Sequence, residues 1–126
     1  MAIVNMLPQV NGKGLELLYN NSSETVQNGA FTLSLDLSKY THVLISTGDN
    51  GAQQIAKTHN KKSYTMVEMG TTEHLIWFGG SFTDSNFGQI GTREVTATTS
   101  GLNFTAKAGY GNASLVYKVY GTKIKA

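Results

Sequence analysis

Catalytic chemistry in this chain of 126 residues would have to come from three histidines, His42, His59 and His74, and eight carboxylates. Histidine ligation of a metal uses short spacings such as H-x-H or H-E-x-x-H, which bring two imidazoles to one ion. These three are far apart in the sequence, and none belongs to such a pair. Neither a G-x-S-x-G elbow nor a phosphate-cradling glycine loop occurs. Glycoside hydrolysis needs two carboxyl groups facing each other across a cleft. Glu68, Glu73, Asp84 and Glu94 are the available donors, and Asp84, between Phe82 and Asn86, is the most suggestive. It reads more simply as a solvated turn aspartate. His42 and His74 fall at strand edges and read as hydrogen-bonded structural residues. The expectation is therefore a protein that is not an enzyme, holds no metal and uses no cofactor. A small hydrolase working through Asp84 and a partner glutamate is the catalytic alternative.

Binding chemistry is better represented. The stretch HLIWFGGSFTDSNFGQIG, residues 74–91, holds the only tryptophan, Trp77, and three phenylalanines among glycine, serine and asparagine. A sugar ring needs a flat aromatic face against its C–H groups and planar polar groups for its paired hydroxyls. Phe82 and Phe87 suit the first role; Asp84, Asn86 and Gln89 suit the second. Aromatics with adaptable polar neighbours on loops are a general recognition mixture. Trp77 and Phe78 close an uninterrupted apolar run and read as the end of a core strand. A second candidate tip, Gly109-Tyr110-Gly111-Asn112, offers Tyr110 and Asn112 to a ligand or a neighbouring subunit.

Elements that hold such loops must be strands. In FTLSLDL, Phe31, Leu33, Leu35 and Leu37 alternate with Thr32, Ser34 and Asp36. In LNFTAKA, Leu102, Phe104, Ala106 and Ala108 alternate with Asn103, Thr105 and Lys107. Period-two patterns of this kind mark half-buried strands with a polar outer face. Further strands are expected at 14–19, 42–47, 63–69, 74–78 and 93–99, with a short helix at 52–58 as the one helical candidate. Gly48-Asp49-Asn50-Gly51 has the chemistry of a tight hairpin turn. Turn residues between 93–99, 102–108 and the final strand predict that these last three strands form a consecutive meander. Many short strands with frequent turns give an all-β fold with little or no helix: an antiparallel β-sandwich, jelly-roll-like, or a compact barrel. The length fits one domain over 1–126, with 1–13 as an extended N-terminal arm.

Composition narrows the partners. Charged residues are only 14% of the chain and the net charge is +2, with the lysines scattered. A nucleic-acid binder would gather its basic residues into a patch, so no nucleic-acid partner is expected. No apolar run approaches the roughly 20 residues that span a bilayer, so no membrane insertion is expected. The start, MAIVNMLPQVNG, lacks the basic and apolar regions of a signal peptide. Cysteine is absent, which leaves the compartment open.

The final strand, VYKVYGTKI, is β-branched and aromatic, and simple alternation puts Leu115, Tyr117 and Val119 on one face and Val116, Lys118 and Tyr120 on the other. Two explanations suit so apolar a pair of faces: a central strand covered on both sides, or a subunit interface through Val116, Lys118 and Tyr120. Gly121 then breaks the pattern, as a bulge or a close backbone approach would.

Several of these pieces, in this order, resemble a β-domain of tailed-bacteriophage and prophage tail-fibre and related virion structural proteins. They are Leu17-Leu18-Tyr19-Asn20, Phe31-Thr32-Leu33-Ser34-Leu35, Leu37-Ser38-Lys39-Tyr40, His42-Val43-Leu44-Ile45 and Val116-Tyr117-Lys118-Val119-Tyr120-Gly121-Thr122-Lys123. Tyr19-Asn20-Asn21-Ser22 departs from the tryptophan and glycine of the family pattern. The resemblance implies a virion component that displays loops toward a host cell-surface glycan, assembled as a homo-oligomer, with a trimer favoured, alongside other virion proteins. It implies a place in the virion after synthesis in the bacterial cytoplasm without a signal peptide, and host lysis is one route out of the cell. A head, neck or baseplate decoration protein and a bacterial carbohydrate-binding module are the non-catalytic alternatives.

Overall fold

The structure is a computed structural model, and it describes residues 14–23, 27, 29–49, 63–79, 89–106, 108–109 and 114–124. The described residues form nine strands: β1 (Glu16–Asn20), β2 (Phe31–Ser34), β3 (His42–Asp49), β4 (Ser63–Glu68), β5 (Thr72–Gly79), β6 (Gln89–Thr98), β7 (Gly101–Phe104), β8 (Ala108–Gly109) and β9 (Ser114–Thr122). They make two antiparallel sheets. The first has the order β1-β9-β3-β4; the second has the order β2-β7-β6-β5, with β8 pairing β6 beyond the end of β7. The fold is all-β, as the alternating patterns predict. Among the described residues the first sheet is edged by β1 and β4 and the second by β2 and β5, and the two sheets pack face to face as a sandwich.

The core lies between the sheets. Val43, Ile45, Val67, Val116 and Val119 from the first sheet meet Leu75, Val95, Ala97, Leu102 and Phe104 from the second, all buried. Each large aliphatic side chain removed from water here contributes roughly 1.5–3 kcal/mol. Leu37 and Tyr40, on the connection from β2 to β3, seal one end. The chain crosses between the sheets at the corner after β4. Met69 N–H donates to the Thr41 carbonyl at 2.9 Å, Gly70 N–H donates to the Ala97 carbonyl at 2.8 Å, and Ala97 N–H donates to the Thr71 carbonyl at 3.0 Å. This corner therefore binds both sheets at once.

Three irregularities depart from simple alternation. On β9, Ser46 pairs with Lys118 but Thr47 pairs with Val116, which leaves Tyr117 as an extra residue. On β1, Leu17 pairs with Tyr120 and Tyr19 with Val119, leaving Leu18 extra. Beyond β7, Thr105 N–H and the Glu94 carbonyl still bond at 3.0 Å, yet Thr92 next faces Ala108, so one residue between 105 and 108 is surplus. Each bulge changes the facing of side chains on one side of it relative to the other. Ala106 and Ala108 consequently lie exposed instead of sharing the buried face of Leu102 and Phe104.

Two expected connections take a different form. The last strand does not continue the β6–β7 hairpin as a meander: β9 lies in the other sheet, between β1 and β3. Its inner face matches the valines of β3, and its backbone is satisfied on both edges, which a meander position would not offer. Gly48 and Asp49 do not turn into a tight hairpin either. The β3–β4 ladder ends at Thr47↔Ser63, while Gly48 and Asp49 pair onward with Leu115 and Ser114 of β9. The helix candidate at 52–58 lies outside the described residues. Gly121 marks a close approach rather than a bulge. A Cβ there would stand 2.8 Å from Leu18 Cδ1 and from the Tyr40 ring.

Candidate functional site

The connections that sequence marks for recognition leave the framework at one end. Gly79 and Gln89 pair across the mouth of the 80–88 connection, and Gly109 and Ser114 flank 110–113. Four residues reach about 15 Å, and packed sheets stand about 10 Å apart, so Gly109 and Ser114 must end their sheets on the same side. Asp49 pairs with Ser114, which brings the start of the 50–62 connection to that end as well.

Beneath this end sits a group of sheltered polar side chains. Asn21 is buried; its N–H donates to the Tyr117 carbonyl at 2.7 Å and its Nδ2 donates to the Val116 carbonyl at 3.2 Å. Gln27 Oε1 accepts from Val116 N–H at 3.1 Å, and the Gln27 carbonyl accepts from Arg93 Nη2. Gln27 thus bridges the two sheets. Bonds that a bulge removes from the ladder at Val116 and Tyr117 are returned by Asn21 and Gln27, as buried backbone groups require. Arg93 is 3% exposed. Its guanidinium lies 5.1 Å from the centre of the Phe31 ring, which stacks on Phe104 at 4.4 Å and 7°. Burial lowers its pKa, a shift toward the neutral form that a guanidinium's very high starting value absorbs. This is a braced floor under the loop-bearing end. Nothing in it is arranged for proton transfer.

The expected site residues divide as follows. Phe82, Asp84, Asn86, Phe87, Tyr110 and Asn112 lie outside the described residues. Gln89 opens β6 opposite Gly79, and its side chain, like those of Trp77 and Phe78, also lies outside them. Val116, expected on a subunit interface, is 1% exposed in the core. The Tyr117 bulge turns it inward and removes it from any interface. Lys118 and Tyr120 do lie together on the outer face of the first sheet, half-buried; Lys118 N–H donates to Ser46 Oγ at 3.0 Å.

The described ionisable groups have local roles. His42 Nδ1 is 2.8 Å from Thr41 Oγ1, and His74 Nε2 is 3.8 Å from Glu94 Oε2 on the exposed face of the second sheet. Asp36 accepts from the Ser38 hydroxyl at 2.6 Å and the Ser38 N–H at 3.1 Å, and these two bonds lower its pKa. It lines a shallow hollow with Ser34, Leu35, Thr99 and Ser100, beside the β6–β7 turn and away from the loop-bearing end. Among the described residues no three His, Cys, Asp or Glu side chains gather as a metal site would require.

Sequence reasoning passed over the Asn21–Gln27–Arg93 group. A signal was present: Arg93 is the only arginine, and alternation in β6 puts it on the face of Val95 and Ala97. A scan against protein-family models finds no match, and a search of curated proteins finds none.

Proposed function

We propose that this chain is a structural component of a bacteriophage particle, of the tail-fibre or receptor-facing kind, and that it recognises a host-surface glycan through the connections at its loop-bearing end. The observation that carries the reading is the shared placement of three connections. The 50–62, 80–88 and 110–113 connections all join one end of a sandwich whose floor is braced by Asn21, Gln27 and Arg93. Two of those connections hold Phe82, Asp84, Asn86, Phe87, Tyr110 and Asn112. A rigid framework spares a binding loop part of its ordering cost, and several copies raise a weak single-site affinity by orders of magnitude. Recognition of this kind needs no reactive group and no cofactor. A homo-oligomer, with a trimer favoured, supplies the copies, and the resemblance to virion proteins supplies the setting.

The test combines mass and binding. Light scattering should give a trimer, and an array of bacterial surface polysaccharides should show binding that Phe82→Ala and Phe87→Ala each weaken at least tenfold without changing the melting temperature. A tenfold loss corresponds to about 1.4 kcal/mol. A monomer that binds no bacterial surface glycan would overturn the reading, as would binding indifferent to both substitutions.

A further inference from the structure

The two outer faces of the sandwich are unlike. On the second sheet, paired positions place Thr72, Thr96, Asn103 and Thr32 in one row, joined by side-chain bonds of 2.7 Å (Thr72–Thr96) and 2.8 Å (Thr32–Asn103). That is the polar surface expected of a sheet facing water. On the first sheet the corresponding row is Met66–Leu44–Tyr120–Leu17, one apolar side chain from each of its four strands. Tyr64 and Leu15 extend it along the β4 and β1 edges. Leu17 is 49% exposed and Tyr64 61%, and of the five exposed large apolar side chains among the described residues only Ile76 lies elsewhere.

Charge and area decide what fits such a face. The rows beside the apolar one carry both signs: Glu68 opposite His42 on one flank, Lys118 opposite Ser46 on the other. An anionic lipid surface would call for basic side chains throughout. An apolar centre with single charges of each sign at the rim is the make-up of a contact between proteins. A large side chain exposes roughly 200 Å² when fully open, so Leu15, Leu17, Tyr64 and Met66 leave on the order of 400 Å² of apolar surface. Leu44, Tyr120, His42 and Lys118, all half-buried, and the exposed Glu68 bring the face to about 600 Å². A contact between folded proteins needs about 500 Å² from each partner, and about 800 Å² is standard. This face meets the first figure, and its apolar share is that of contacts between identical subunits.

The pattern also matches itself. A two-fold axis parallel to the strands lays the row of one copy on the row of another, Leu44 over Tyr120 and Met66 over Leu17. Both halves of the row are apolar, so three copies around an axis can equally pair the β4–β3 half of one with the β9–β1 half of the next.

We propose that the outer face of the first sheet is where copies of this chain meet, with Leu17, Leu44, Met66 and Tyr120 at the centre of the contact and Glu68 and Lys118 at its rim. The sandwich then has one face for assembly, one polar face for water and a separate end for its loops. This gives the homo-oligomer proposed above its contact surface; it rests on that part of the reading and not on glycan recognition.

Mass in solution, read without any glycan, is the test. Light scattering over a dilution series should show native chains associating reversibly at micromolar concentration. Leu17→Glu and Met66→Glu should each weaken the association about tenfold or more, because each buries a carboxylate in the contact. Ile76→Glu, on the polar face, should leave it unchanged. All three positions are exposed, so circular dichroism should show the native sheet in every variant. Tyr64→Ser, a milder change at a more exposed position, should weaken the association as well. A native chain that stays monomeric overturns the proposal and leaves the face to another segment of the chain or to a different protein. Association that survives both glutamate substitutions overturns it too, as does an equal loss in Ile76→Glu. A monomer that still binds glycan through Phe82 and Phe87 would sink this contact alone and leave the loop reading standing.

Discussion

Tyr40 shows how one residue ties stability to pH. Its ring packs over Gly121, and its hydroxyl, in a side chain 5% exposed, donates to Glu16 Oε1 at 2.8 Å. Burial, then this bond, then the charges of Glu16 and Asp36 push its ionisation up from 10.0 to about 12. The folded state thus holds the phenol proton more tightly than the unfolded chain does. A pKa raised by folding stabilises fully below the unfolded value and is lost as pH rises through the folded one. Denaturant unfolding should therefore show stability level up to pH 10.0 and falling toward pH about 12. In Tyr40→Phe the neutral-pH stability should drop by about 1 kcal/mol for the lost hydrogen bond, and Tyr40's share of the alkaline fall should disappear. An alkaline limb that is the same in both proteins would contradict this account.

At the scale of the element, bulges decide which face a side chain takes. Plain alternation treats Val116 and Lys118 as neighbours on one face; the extra Tyr117 sends Val116 to the core and leaves Lys118 half-buried outside. Val116→Asp would bury a carboxylate among valines and should cost more than 3 kcal/mol, enough to unfold a marginal domain. Lys118→Glu should stay within about 0.5 kcal/mol. Thermal unfolding of the two variants side by side is the check, and equal losses would mean that no bulge separates them. The same feature explains what sequence could and could not reveal. Strand positions were legible because Leu33, Val95, Val119 and their neighbours alternate with polar residues over short runs. Facing was legible on one side of each bulge and lost on the other, at Ala106 and at Val116. A bulge is one residue of register, set by what the partner strand buries, and no local pattern announces it. Partner choice was hidden for a related reason. The β6–β7 turn is local, whereas β9 finds β1 and β3 across most of the chain. Turn chemistry marked 80–88 and 110–113 as stretches between strands, while the bracing by Asn21 and Gln27 arises only when distant segments meet at Val116.

For the molecule as a whole, the consequence is that its most strand-like segment, β9, pairs with the first described strand, β1. β9 is hydrogen-bonded to β1 on one edge and to β3 on the other, and Val116 and Val119 are buried on its inner face. Opening β9 breaks two ladders and the core together, whereas among the described residues β2 and β4 are each paired along one edge. Local opening free energies in a protein range from near zero to the full unfolding value, and the amides that need global unfolding are those in strands bonded on both sides. Backbone amides of Val119 and Ile45 should therefore exchange with solvent only through global unfolding, with a denaturant dependence equal to that of the whole domain. Bonded amides of β2 and β4 should exchange faster and through smaller openings. The same pairing sets the pace of folding. β1 cannot enter the first sheet until β9 arrives from about a hundred residues away, a high-contact-order step that places refolding in the millisecond-to-second range. Amide exchange in β9 as fast as in β2 would show that the strand opens independently, and the framework could not then hold its loop-bearing end still.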